Sequence, residues 1–238
     1  MQRPFYPEGD ACHCYLLHPP GGVVGGDRLE IRVDVGAGAH VLLTTPAAGK
    51  FYRSGGRQAQ QRVSIRIDGG NAEWMPQETI FYPGAVARQQ TIVRMRTGSR
   101  FIGWEIACLG LSARAEPFTS GLLQQNFELW LEQRPLLVDV LQLDAAAPTL
   151  RARWGLAGNS VVGTFAAYPA TRDDVEMLRG LEPGGESLAA LTLVDGVLTG
   201  RCFGMQADAV KRRFVEWWKC LRPRIMRREA HLPRIWAT

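Results

Sequence analysis

The sequence predicts a mainly β protein with a short helical region near its C-terminus, on three observations. Apolar residues alternate with polar ones in several short runs, and Gly, Pro, Asn and Asp punctuate those runs as far as about residue 203. Helical periodicity is confined to two segments.

Leu29, Ile31, Val33 and Val35 alternate with Glu30, Arg32 and Asp34, so a strand here buries one face and shows the other to water or to a partner's charges. Val63, Ile65 and Ile67 alternate with Arg62, Ser64 and Arg66, and Asp68-Gly69-Gly70-Asn71 then supplies residues that tolerate positive φ. Phe127, Leu129 and Leu131 repeat the pattern against Glu128, Trp130 and Glu132. Leu191–Val194 and Val197–Thr199 flank Asp195-Gly196 as an expected hairpin. The first helical segment begins at Thr171, an N-cap residue type followed by Asp173, Asp174 and Glu176, whose charge suits the positive helix end. The second spans Ala207 to Leu221, where Val210, Phe214, Trp217, Trp218 and Leu221 recur at helical spacing and Pro223 is expected to end or bend the helix. No repeat, low-complexity linker or sharp change of composition divides the chain, so one unit over 1–238 is expected, β-rich over 1–203 and helical and basic over 204–238.

With 46% hydrophobic and 21% charged residues the composition is that of a folded globular chain. No apolar run reaches the roughly 18 residues of a membrane-spanning helix, and Arg3-Pro4-Phe5-Tyr6-Pro7 is not an apolar leader, so the cytoplasm is the expected location. Cys12, Cys14, Cys108, Cys202 and Cys220 are odd in number and irregularly spaced, which favours reduced thiols. The formal charge of +5 is uneven: residues 201–238 hold ten Lys/Arg against three Asp/Glu, an excess of +7, leaving 18 against 20, or −2, for the rest. Such an end attracts an acidic protein face, nucleic acid or an anionic membrane, and a solvated or protein-facing surface is preferred.

The chain carries little that suits catalytic chemistry. The glycine run Gly21-Gly22-Val23-Val24-Gly25-Gly26 precedes a strand, so it lacks the helix N-terminus of a phosphate loop. Gly49-Lys50 is followed by Phe51 where a nucleotide-binding loop needs Ser or Thr, which leaves a tight loop packing Phe51 and Tyr52. Cys12-His13-Cys14 on a strand would point the thiols one way and the imidazole the other, so packed thiols are preferred to a metal chelate. No serine occupies a nucleophile elbow. A metal-dependent hydrolase acting alone, and a nucleic-acid binder using the basic tail, remain as alternatives; the second lacks strands that interleave aromatic and basic residues.

Three segments stand in order near the start: Arg3-Pro4-Phe5-Tyr6-Pro7-Glu8-Gly9, His18-Pro19-Pro20-Gly21-Gly22-Val23-Val24-Gly25-Gly26-Asp27 and Thr44-Thr45-Pro46-Ala47-Ala48-Gly49-Lys50-Phe51-Tyr52-Arg53-Ser54. Glu73-Trp74-Met75-Pro76-Gln77-Glu78-Thr79-Ile80 and Pro233-Arg234-Ile235-Trp236 follow them. In order and spacing these resemble the signatures of the UreD (also called UreH) family of urease accessory proteins, and the resemblance covers nearly the whole chain. It implies a right-handed β-helix-like stack of sheets with helices near the C-terminus and no enzymatic activity. It implies work on apo-urease with UreF and the GTPase UreG, in a complex that allows a homodimer, with nickel passing transiently and no cofactor permanently bound. It also implies further N-terminal strands before Arg3, absent from this chain, and hence an exposed sheet edge. Cys14 stands where the family more often has an aliphatic residue, so it is given no role.

A nickel path needs ligands that release the ion, and oxygen or imidazole donors suit it better than thiolates. Asp27, Glu78, Glu105, Thr44, Thr45 and His18 are the expected lining. The carboxylates and the imidazole each have a plainer reading: Asp27 capping a turn, Glu78 accepting backbone hydrogens, Glu105 pairing with Arg94 or Arg100, His18 hydrogen-bonded within the fold. The expected partner surface is Trp217, Trp218, Arg222, Arg224, Arg227, Arg228, Arg234 and Trp236, with core packing as the plainer reading of Trp217 and Trp218.

Overall fold

The structure, a computed structural model, describes residues 3–111, 114, 116–181 and 187–237. Its first strands are β1 (Phe5–Glu8), β2 (Ala11–Tyr15), β3 (Arg28–Val35), β4 (His40–Thr44), β5 (Gly49–Phe51), β6 (Ala59–Ile67), β7 (Asn71–Met75) and β8 (Thr79–Phe81). Then come β9 (Ala85–Met95), β10 (Arg100–Leu111), β11 (Glu116–Pro117), β12 (Gly121–Leu131), β13 (Arg134–Asp144) and β14 (Val161–Tyr168). Helix α1 (Arg172–Arg179), the hairpin β15 (Leu188–Val194) and β16 (Val197–Gly204), and helix α2 (Ala207–Ile225) complete it.

These strands make two sheets. The first runs β1-β2-β4-β7-β10-β14-β16-β15, with β5, β8 and β11 attached, and the second runs β13-β12-β9-β6-β3. Parallel neighbours need a crossover, and here the crossover is a strand of the opposite sheet. The chain therefore winds as a β-solenoid: β2, β4, β7 and β10 stack in parallel on one side, and β3, β6, β9 and β12 on the other. The alternation read at Leu29–Val35 and Val63–Ile67 becomes vertical stacks, with Val33 beside Ile65 and Ile65 beside Val93. β1 and β3 lie at sheet edges.

β10 does not alternate, because the first sheet is covered on both faces and apolar residues are favoured at every position. Phe101 faces the second sheet while Trp104 faces α2. α2 sits close because glycines underlie it: a Cβ on Gly200 would come within 2.3 Å of the Trp217 ring, and one on Gly163 within 2.6 Å of Phe214. At the β15–β16 turn, Asp195 and Gly196 take the positive φ values (52° and 76°) of the expected hairpin. Thr171 caps α1 through a reciprocal capping box with Asp174.

Two expectations need correction. Gly49-Lys50 is not a loop but part of β5, and Phe51 stacks on Phe81 at 5.1 Å between ring centres. Helix α2 does not stop before Pro223 but continues to Ile225. Proline's fixed φ is helical, and burial of Leu221, Arg222 and Ile225 holds the last turn against the loss of one backbone hydrogen bond. Among the described residues, no helix is long and apolar enough to cross a membrane.

Candidate functional site

A cavity of about 560 Å³ enters between the two sheets. His18, Glu30 and Arg32 are exposed at its rim, whereas Trp74, Gln89 and Glu105 are buried at its end. Thr45, Lys50, Gln61, Gln77 and Thr79 line it between these limits.

Glu105 is turned inward by the alternation of β10, which points Trp104 and Ile106 toward α2. The Trp74 indole donates to Glu105 Oε1 at 2.8 Å and the Thr91 hydroxyl donates to the same oxygen at 2.5 Å. The Gln89 amide donates to Oε2 at 3.1 Å. Burial pushes the carboxyl up to about 7, and the bonds from Thr91 and Trp74 only partly oppose it. Among the described residues no arginine pairs with it, so Arg94 and Arg100, the partners expected in the plainer reading, are not its partners.

Polar side chains continue past Glu105. Gln61, Gln89 and Gln125 stand in register on β6, β9 and β12, and Gln125 donates to Gln89 at 2.9 Å. Thr164, opposite Glu105 on β14, donates to Asp139 at 2.9 Å, and Asp139 pairs with the partly exposed Arg201. A file of polar groups thus crosses an otherwise apolar interior.

The sequence profile of the UreD urease accessory protein family matches residues 1–237. The urease accessory protein UreD of Enterobacter sp. (strain 638) is 40% identical over 239 residues, covering 100% of this chain and 85% of the relative. That of Dechloromonas aromatica is 41% identical over 245 residues, with the same coverage, and that of Citrobacter koseri is 40% identical over 242 residues, covering 100% and 82%. The chain belongs to the UreD family. Its general role is therefore accessory to urease and its maturation rather than catalytic.

For this UreD-family chain, the structure gathers Glu105, Thr45 and His18 at one cavity; Thr45 also accepts a bond from the Gln77 amide at 2.9 Å. Asp27, Glu78 and Thr44 are not among the cavity's lining residues. Asp27 is exposed and accepts from the Val24 amide at 3.1 Å, the turn-capping arrangement. Glu78 is half-buried. Thr44 faces the helical side, donating to the Met75 carbonyl at 2.5 Å and accepting from the Trp236 indole at 2.9 Å.

The expected partner surface divides in this fold, with Trp217, Trp218 and Arg222 buried, Arg228 and Trp236 half-buried, and Arg224, Arg227 and Arg234 exposed. Trp217 and Trp218 are core side chains because the apolar stripe of α2 seats on the first sheet, and Arg222 is fully buried. Trp236 is half-buried, with Lys211 over its ring at 5.0 Å. Arg224 pairs with Asp174 and Arg228 with Asp10, leaving Arg227 and Arg234 as exposed tail arginines with no ion pair among the described residues. The basic tail is accordingly less of an open cationic surface than its composition implies.

Sequence reasoning missed a second buried polar cluster. The Glu73 carboxylate accepts from the Trp218 indole at 2.5 Å and from Arg222 at 3.0–3.1 Å, and His40 Nε2 lies 2.7 Å from it. Arg222 also donates to Glu8, which takes His13 Nε2 at 2.6 Å. Burial would raise the Glu73 carboxyl, but His40 and Arg222 outweigh it and hold it below the usual range; Glu8 is likewise lowered against its burial by Arg222 and His13. Burial holds the His13 imidazole low despite Glu8. The one trace in the sequence is an acid set among apolar neighbours in Ala72-Glu73-Trp74-Met75. Among the described residues, no group of three or more His, Cys, Asp or Glu is placed to hold a metal ion.

Proposed function

We propose that this chain carries nickel toward apo-urease through the cavity between its sheets, while it is held in one assembly with UreF, the GTPase UreG and apo-urease. The observation that supports this reading best is Glu105, a buried carboxyl at the end of a polar-lined cavity with its pKa raised to about 7. Near neutral pH such a group gives up its proton readily when a divalent cation arrives and takes one back when the ion leaves. Before and after it stand amide and hydroxyl groups, which replace hydration water without binding nickel as tightly as thiolates would. The ion is cargo and occupies these positions in turn. Gln125, Thr164 and Asp139 extend the route away from the mouth.

The test is Glu105→Gln in cells co-expressing urease and its accessory proteins. The variant is expected to join the assembly normally while urease nickel content and ureolysis fall about tenfold or more. Full nickel loading by Glu105→Gln overturns the reading.

A further inference from the structure

Both helices lie against strands of the first sheet or its β15–β16 hairpin, so the outer face of the second sheet is uncovered by any described helix. On three adjacent strands that face is rich in arginine, the commonest residue at its outward positions. Inward positions of β3, β6 and β9 are apolar or belong to the polar file, and the alternate, outward positions carry Arg28 and Arg32, Arg62 and Arg66, and Arg88 and Arg94. Against these six stand two carboxylates on the same strands, Glu30 and Asp34.

Register concentrates this charge. Arg66 lies directly opposite Arg94, and Asp34 flanks Arg66 on the other side. Arg62 lies between Glu30 and Gln90. Like charges directly opposite on neighbouring strands, about 4.8 Å apart, repel and cost stability in the isolated chain. Arg32 has a carboxylate partner, Glu30, whereas Arg28, Arg62, Arg66 and Arg94 have none among the described residues.

We infer that this arginine face of the second sheet is a docking surface for an acidic face of a partner protein in the urease assembly. Carboxylates set over Arg62, Arg66 and Arg94 relieve the repulsion between Arg66 and Arg94 and form bidentate pairs that suit the planar guanidinium. A protein fits better than a nucleic acid, because Glu30 and Asp34 stand in the same rows as Arg62 and Arg66 and would repel a continuous phosphate backbone. The location adds a consequence: Glu30 and Arg32 belong both to this face and to the cavity rim, so a partner seated here stands at the mouth. The choice of partner rests on the maturation reading, whereas the surface itself does not depend on Glu105.

The experiment uses the full chain, wild type, with Arg66→Glu/Arg94→Glu, Arg66→Gln/Arg94→Gln and, as a control on an exposed loop, Arg153→Glu. Association with purified apo-urease and with the UreF–UreG pair is followed at low and high salt, with a double-stranded DNA of about 20 base pairs as the competing probe. Charge reversal is expected to slow association with one of the two protein probes about tenfold at low salt and to flatten its salt dependence. The glutamine pair should fall between, and the control should match wild type. Unchanged association of the reversed variant with both proteins overturns the proposal. So does a wild-type preference for the DNA that the reversal abolishes. If circular dichroism shows the reversed variant misfolded, the glutamine pair decides by the same criteria. Urease nickel content is measured in parallel: a loss confined to Glu105→Gln concerns the cavity, and a loss of association confined to the arginine variants concerns this face.

Discussion

Arg222 and Glu73 are separated by 149 residues and meet in the interior through three hydrogen bonds of 3.0–3.1 Å. The pair ties the last turn of α2 to the solenoid strand β7, and Glu8 brings β1 to the other side of the same guanidinium. A buried charge pair costs desolvation, so its worth lies in requiring every member to be present.

Arg222→Ala should therefore lower stability by about 3–5 kcal/mol, because two buried carboxylates lose their counterion. Urea unfolding checks this. Combining Arg222→Met with Glu73→Gln should cost clearly less than the two single effects summed, since Glu8 is then the one carboxylate of the pair left without Arg222.

Glu8 and Glu73 are both held below the ordinary value of 4.5 in the folded chain. Their contribution is complete above about pH 4.5 and is lost as the pH falls through the lower folded values, because the unfolded chain takes up those protons first. Acid unfolding of Glu73→Gln should show a shallower loss of stability below about pH 4.5 than wild type, measured by fluorescence across an acid titration.

Glu105 has the opposite sign. Its folded value is about 7 against an ordinary 4.5, so between these values the folded state keeps a proton that the unfolded state has released, and stability falls as pH rises. The stability of Glu105→Gln relative to wild type should rise by about 3 kcal/mol between about pH 4.5 and pH 8, and a pH-independent difference would show the carboxyl to be ordinary.

Gly200→Val should disturb the seat of α2, because even a Cβ there meets Trp217 at 2.3 Å. A loss of about 1–3 kcal/mol is expected, with a shift in tryptophan fluorescence as the ring moves.

A chain stopped after Leu221 would remove Arg222 along with the exposed tail arginines. It should fail to fold rather than merely fail to bind, read by loss of near-ultraviolet circular dichroism. A chain stopped after Leu232 keeps Arg222 and should remain folded while losing the Trp236 bond to Thr44.

Leu29–Val35 and Val63–Ile67 were readable as strands because one buried face imposes a period of two, and Ala207–Leu221 as a helix because its stripe has a period near 3.6. β10 hides from the same reading: Phe101 and Trp104 are both core residues on opposite faces, which erases the alternation. Glu105 was readable as a polar residue in an apolar stretch, but its partners Trp74, Thr91 and Gln89 were not, since each comes from another strand. For Trp217 and Trp218 core packing was the plainer reading of the helical pattern beside a partner surface, and both are buried, with Gly200 seating the Trp217 ring.

Local patterning was enough to read several of the strands, both helices, the lack of an apolar run long enough to span a membrane and, through the ordered motifs, the family, but not β5 or β10. Tertiary structure alone decided which charged groups are buried together, as with Glu8, Glu73 and Arg222, and which are stacked in the open, as with Arg66 and Arg94. Range separates the two. Secondary structure follows from side chains a few positions apart, whereas the cost of a charge depends on its depth and its neighbours, and a solenoid brings those neighbours from successive turns.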